Sequence, residues 1–139
     1  MKRKTMMTLV LLFQLTVSGI ISLVGYTRGQ TETFWIHPVD PLNPENENEE
    51  YELRGRTYFP LNYNPERTYN AVLSFHGLTG KLEHQDFFAK KLSALGLMVF
   101  AIDFSGHGKS GGTFPFDDGL KYNATFGDAL ALAKYAKGR

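Results

Sequence analysis

The alternation of apolar and polar positions divides the chain into three stretches of different character. From Met6 to Val24 it runs "MMTLVLLFQLTVSGIISLV" without a charge, and from residue 30 to 50 it is polar and broken by prolines. From Tyr51 onward, short apolar runs alternate with amphipathic ones. "AVLSF" at 71–75 and "LMVFAIDF" at 97–104 are apolar almost throughout, the pattern of strands covered on both faces of a parallel sheet. Between them Phe88, Leu92 and Leu95 fall at i, i+4 and i+7. This predicts a helix that turns that side to the sheet and is capped at its C-terminus by Gly96. Strand, helix and strand make one βαβ unit, expected to cross over right-handed. Before it, "YELRGRTYFPL" places two short strand-like runs around Gly55, the second ended by Pro60, which predicts an edge hairpin. After it, Thr125 and Asp128 spell a capping box for a second helix through "ALALAKYAKG" to Gly138. Residues 51–139 are therefore expected to form one α/β domain.

The uncharged stretch follows a basic cluster, Lys2, Arg3 and Lys4. A cationic start and an apolar run mark residues 1–29 as a signal peptide or an N-terminal membrane anchor. The run approaches the roughly 20 residues needed to span a bilayer, and Val17 and Gly19 are acceptable small residues for a peptidase. Both forms stay open. In either, the basic end remains in the cytoplasm and the rest faces outside, so the domain is expected to be membrane-anchored on the outer side or secreted.

The chain has a formal charge of +1 and no cysteine, with 42% hydrophobic and 14% aromatic residues, enough apolar content for one modest core. Lys2, Arg3, Lys4 and Arg28 are the only charges in residues 1–29, so the remainder carries −3, the chain's +1 less those four. The concentrated basic face that nucleic acid requires is missing from this pattern. The absence of cysteine removes thiolate nucleophiles, disulfides and cysteine metal sites. Much of the negative charge sits in "PENENEE" at 44–50, which with Pro38 and Pro41 predicts a solvated linker over 30–50 rather than a calcium site.

The stretch "DFSGHGKSGG" at 103–112 carries the candidate chemistry and matches three patterns at once. Gly106, Gly108 and Gly111 spell G-x-G-x-x-G, but the helix that should present its amides to a pyrophosphate is replaced by "TFPFDDG", a loop. Gly108-Lys109-Ser110 looks like the end of a P-loop, yet the position six before the lysine is Asp103 where that motif needs glycine. Gly108 to Gly112 is a literal G-x-S-x-G. Ser110 is nevertheless separated from the strand by Gly106, His107 and Gly108, and every histidine, namely His37, His76, His84 and His107, precedes it. In a nucleophile-elbow hydrolase the acid and the histidine follow the serine.

Taken with its flanks, "AVLSFHGLTGKLEHQDFFAKKLSALGLMVFAIDFSGHGKSGG" resembles the N-terminal half of α/β-hydrolase-fold enzymes of the serine aminopeptidase, monoacylglycerol lipase and lysophospholipase-like group. The resemblance rests on His76-Gly77, on Glu83-His84, and on Asp103-x-x-Gly106-His107-Gly108-x-Ser110, and extends over about Tyr51 to Gly138. It implies a mostly parallel sheet with flanking helices and an N-terminal hairpin. It also implies that the backbone N–H of Leu78 belongs to an oxyanion hole, with His76 and Gly77 shaping its loop. Asp103, Gly106, His107, Gly108 and Ser110 then form a structural turn beside the site. No catalytic residue falls within the chain: the nucleophile, acid and histidine are expected beyond Arg139, so the chain as given is expected to be an inactive N-terminal portion.

The activity so implied is hydrolysis of carboxylic esters, with a small-molecule or lipid ester (or a peptide) as substrate, through an acyl-serine intermediate and without metal or organic cofactor. A retained N-terminal segment would make the membrane a partner. Two other readings remain: a non-catalytic binding or scaffold module of degenerate hydrolase fold, and a nucleotide-binding βαβ protein.

Overall fold

The computed structural model describes residues 29–114 and 121–139. The N-terminal apolar segment through Arg28, and residues 115–120, which take in 115–119 of the expected "TFPFDDG" loop, lie outside the described residues. Among the described residues no helix is long and apolar enough to cross a membrane.

The fold is organised by the strand Met98–Ile102, labelled β6, whose residues are all buried. Its alternation sorts side chains to two faces. Met98, Phe100 and Ile102 point into a core with Phe34, Leu53, Phe59 and Leu132, while Val99 and Ala101 point the other way toward Tyr58, Leu82 and Ala89. A strand apolar on both sides needs cover on both sides. One face receives the helix α1, Asp86–Ala94, and the other the helix α2, Lys121–Lys137.

Three more strands complete the sheet. β1 is Thr31–Ile36, β4 is Leu53–Tyr58 and β5 is Ala71–Ser74, in the order β1-β4-β6-β5. β5 and β6 are parallel and joined through α1, the expected βαβ unit. The other two pairs, β1 with β4 and β4 with β6, are antiparallel, so among the described residues the sheet is not mostly parallel. Consecutive strands can pair in parallel only through a crossover connection, usually a helix, and α1 provides one such crossover.

The stretch expected to be a solvated linker, 30–50, contains β1 and a two-stranded hairpin of β2, Val39–Asp40, and β3, Asn43–Glu47. β1 is held because Phe34 points inward beneath α2 and stacks on Tyr135 at 3.9 Å. The expected hairpin around Gly55 is instead one continuous strand, β4, paired along its length with β1. Gly55 lies opposite Phe34, and a methyl group there would come within 2.1 Å of the Phe34 ring. Glycine makes room for an aromatic side chain and does not mark a turn.

α1 also departs from expectation. Of the expected inward face, Leu92 packs against the core, but Phe88 and Leu95 are 68% and 78% exposed, and the residues that the helix buries fully are Ala89 and Ser93. Small residues let the helix lie close over Val99 and Ala101, and the 3-10 turn Leu82–Gln85 before it supplies the larger Leu82. The C-terminus of α1 is closed as foreseen. Gly96 has φ +93, its N–H reaches the Ser93 carbonyl and the Leu97 N–H reaches the Leu92 carbonyl, a Schellman cap. Asp86 ties the helix to β4 by accepting from Arg56 at 2.8 Å and from the Tyr58 hydroxyl.

Replacing Gly55 by alanine should destabilise the protein by about 1–3 kcal/mol, the range for forcing extra volume into a packed core. Urea unfolding of the variant measures this, and Gly55→Ala combined with Phe34→Leu should recover part of the loss.

Candidate functional site

The loops that carry the candidate chemistry follow the C-terminal ends of the parallel strands β5 and β6, where ligand sites of open α/β sheets lie. Asp103 directly follows β6 and is fully buried. One of its carboxylate oxygens accepts the Leu82 N–H at 2.6 Å; the other accepts Arg54 Nε at 2.8 Å and the Lys109 N–H at 3.1 Å, with Arg54 Nη2 at 2.5 Å. Arg54 Nη2 also pairs with Glu83 Oε1 at 2.8 Å. Ser110 donates its hydroxyl proton to the Asp103 carbonyl at 2.6 Å and accepts the Arg54 N–H at 2.8 Å. The Ser110 hydroxyl is thus committed to the backbone on both sides.

Between Asp103 and Ser110 the chain turns tightly. Gly106 and Gly108 have φ +70 and +54, and a methyl group at Gly108 would stand 2.2 Å from Asp103 Oδ1. Here glycine is required both by conformation and by the carboxylate it covers. The turn's amides are spent internally: Gly106 N–H on the Gly111 carbonyl, Ser110 N–H on the His107 carbonyl, Gly111 N–H on the Glu52 carbonyl and Lys109 N–H on Asp103. These are donors that a bound phosphate would need, which weighs against the nucleotide reading.

The loop after β5 holds His76, Gly77 and Leu78. His76 is buried, and its Nε2 receives the Phe104 N–H at 3.0 Å, so the ring proton resides on Nδ1 and is donated to the Gly77 carbonyl at 2.7 Å. Burial lowers the His76 pKa and keeps the ring neutral, while the bond to Gly77 works in the opposite direction. The Gly77 carbonyl also accepts the Gly80 N–H at 2.8 Å. In a trans peptide the N–H points opposite to the carbonyl. Anchoring the Gly77 carbonyl therefore sets the direction of the Leu78 N–H, which no described residue accepts. Leu78 itself is exposed. From the other side, His107 Nε2 lies 2.5 Å from the Leu78 carbonyl and His107 Nδ1 lies 3.0 Å from the Ser105 carbonyl.

Two residues central to this arrangement were not identified from the sequence. Arg54 is a buried cation inside a strand. Asp128 is buried in the second turn of α2 rather than forming a capping box with Thr125, because the helix begins earlier, at Lys121. Asp128 accepts the Ser105 N–H at 2.8 Å and the Ser105 hydroxyl at 2.8 and 2.9 Å, and the Tyr51 hydroxyl lies 3.1 Å from the same Ser105 oxygen. For Asp128 the available signal was a lone charge in the apolar run "FGDALALA"; Arg54, between Glu52 and Arg56, left no such signal. A cavity of about 450 Å³ between the β2–β3 hairpin and α2 shares Tyr51 and Asp128 with this network but is not lined by His76, Gly77 or Leu78. Among the described residues no serine hydroxyl is bonded to a histidine ring.

No family model and no curated relative matches the chain. Solved structures do resemble it. A hypothetical protein from Pseudomonas aeruginosa superposes with a TM-score of 0.60 at 16% identity, over 79% of this chain and 31% of its own. A protein assigned as a hydrolase from Agrobacterium vitis S4 gives 0.55 at 22% identity, over 78% and 37%. Est1E from Butyrivibrio proteoclasticus, solved with ferulic acid bound, gives 0.52 at 30% identity, over 66% and 35%. The likeness is one of fold: the mixed α/β sheet with its two helices is consistent with part of a hydrolase fold. The chain spans about a third of the length of each.

Asp103→Ala should cost about 3–5 kcal/mol in urea unfolding, because it leaves Arg54 buried without its main partner. Asp128 behaves oppositely to a stabilising carboxylate. Burial raises its pKa to about 6, against the opposing bonds from Ser105 and the nearby His107. Between about pH 4 and 6 the native state keeps a proton that the unfolded state has released, so stability falls as pH rises through that window. The contribution is on the order of 3 kcal/mol, and Asp128→Asn should flatten that part of the stability profile.

Proposed function

We propose that residues 51–139 form the oxyanion-hole half of a serine hydrolase that cleaves carboxylic esters, of the lipase, esterase or lysophospholipase kind. In this reading the nucleophile, acid and histidine lie beyond Arg139, and residues 1–29 direct the protein out of the cytoplasm or hold it at a membrane.

The observation that carries the proposal is the Leu78 N–H, which lacks a described acceptor and belongs to a loop whose two neighbouring carbonyls are each held by a histidine. Such a pre-aimed donor stabilises the negative charge that develops on a carbonyl oxygen under attack. The serine oxygen would add to the ester carbonyl, the oxyanion would accept the Leu78 N–H, and expulsion of the alcohol would leave an acyl-enzyme for water to cleave. Ser110 and Ser105 do not serve as nucleophile in this scheme, since both hydroxyls are engaged within the fold. The likeness to hydrolase structures supports the reaction class. Ferulic acid bound to Est1E is a carboxylic acid, the kind of product that ester cleavage releases.

The test begins with the coding sequence past Arg139 and the protein it encodes. A fluorophosphonate should label one serine within a G-x-S-x-G segment beyond Arg139. Leu78→Pro, which deletes the donor, should lower kcat by about 10²–10³ with a much smaller change in KM. A complete protein that is folded yet unlabelled and inactive on short and long acyl esters would overturn the proposal.

A further inference from the structure

The position of His107 raises a question of proton count. Nδ1 faces the Ser105 carbonyl at 3.0 Å and Nε2 faces the Leu78 carbonyl at 2.5 Å. Carbonyl oxygens only accept. A neutral imidazole has one N–H and can serve one of them, leaving a lone pair against the other; an imidazolium has two and serves both. The Ser105 contact is local to the turn. The Leu78 contact joins residues 29 apart and ties the β5 loop to the β6 loop.

The surroundings accommodate a proton on His107. His76 lies 5.0 Å away between ring centroids and is neutral, because its own two bonds require one donor and one acceptor nitrogen. From α2, the Asp128 carboxylate interacts electrostatically with His107, and its oxygens are bonded to Ser105. From the end of the turn, the Phe114 ring lies in a T-shaped arrangement with the imidazole at 4.9 Å between centroids. Lys109, in the same turn, engages Asp103 through its amide.

We propose that His107 in its doubly protonated form is the positioning residue of the Leu78 loop. His76 fixes the peptide plane before Leu78, through the Gly77 carbonyl, and the His107 imidazolium fixes the plane after it, through the Leu78 carbonyl. Loss of the His107 proton removes one of the two donated bonds and sets a lone pair against the other carbonyl, which weakens the bridge between the loop and the glycine turn. The proposal rests on Leu78 as the oxyanion donor for its catalytic meaning, but the latch itself exists without substrate.

The test is an NMR pH series on the full 139-residue chain. Ring ¹⁵N shifts report the protonation of His107, and amide exchange of Gly80, whose N–H closes the loop on Gly77, reports the loop after correction for intrinsic exchange. The Gly80 protection factor should fall on the order of tenfold as His107 loses its second proton, the effect of losing one charge-assisted hydrogen bond. His107→Gln should have the lower protection at every pH, and Asp128→Asn should retain the pH dependence. The proposal is overturned if His107 is singly protonated wherever the chain is folded. It is equally overturned if Gly80 protection is flat across the His107 titration, or if His107→Gln keeps the wild-type profile. An inactive complete enzyme would remove the hydrolase reading and leave this result standing, whereas an active one with a flat Gly80 profile would remove the latch alone.

Discussion

The ion pair of Arg54 with Asp103 is the contact on which the remaining site geometry depends. Both residues are buried, and the pair is tolerable only because nearly every polar atom around it has a partner. Asp103 collects the Arg54 guanidinium and two backbone N–H groups from different loops, and its own amide donates to the Arg54 carbonyl at 2.9 Å. The side chains therefore extend the β4–β6 ladder by one further rung. A register slip of one residue would turn Arg54 to the opposite face of the sheet, so the pair specifies alignment as well as binding the loops.

From that anchor the two loops after β5 and β6 acquire their shapes. Asp103 holds the start of the 3-10 turn through Leu82 and the glycine turn through Lys109. His76 spans from the β5 loop to the Phe104 amide, and His107 spans back to Leu78. Asp128 secures the outer side of the glycine turn through Ser105, from a helix also docked by the stacking of Tyr135 on Phe34 and by Lys134 on the Pro44 carbonyl. The result is a Leu78 N–H that no described residue accepts, in a loop held on one side by the buried His76 and on the other by the half-buried His107.

Much of the local structure was legible in the chain itself. The apolar runs that became β5 and β6, the helix between them, the Gly96 cap and the turn from Asp103 to Ser110 each follow from neighbours a few residues apart. Strand 31–36, the continuity of β4 through Gly55 and the roles of Arg54 and Asp128 follow from partners far along the chain. Phe34 explains Gly55, and Ser105 explains Asp128, but neither pairing leaves a periodic trace in the sequence.

The helix α1 marks the division clearly. Its existence and its end were determined by the sequence alone, because helix propensity and a Schellman glycine act within one or two turns. Which side faced inward was decided by the tertiary structure, because close approach to Val99 and Ala101 favours Ala89 and Ser93 over the larger Phe88 and Leu95. The same holds for the site. The sequence by itself supplied the residue types, His76, Leu78, Asp103 and His107. Only the folded chain decided which proton each histidine donates and to which carbonyl, since hydrogen-bond direction depends on groups brought together across the sheet rather than along the strand.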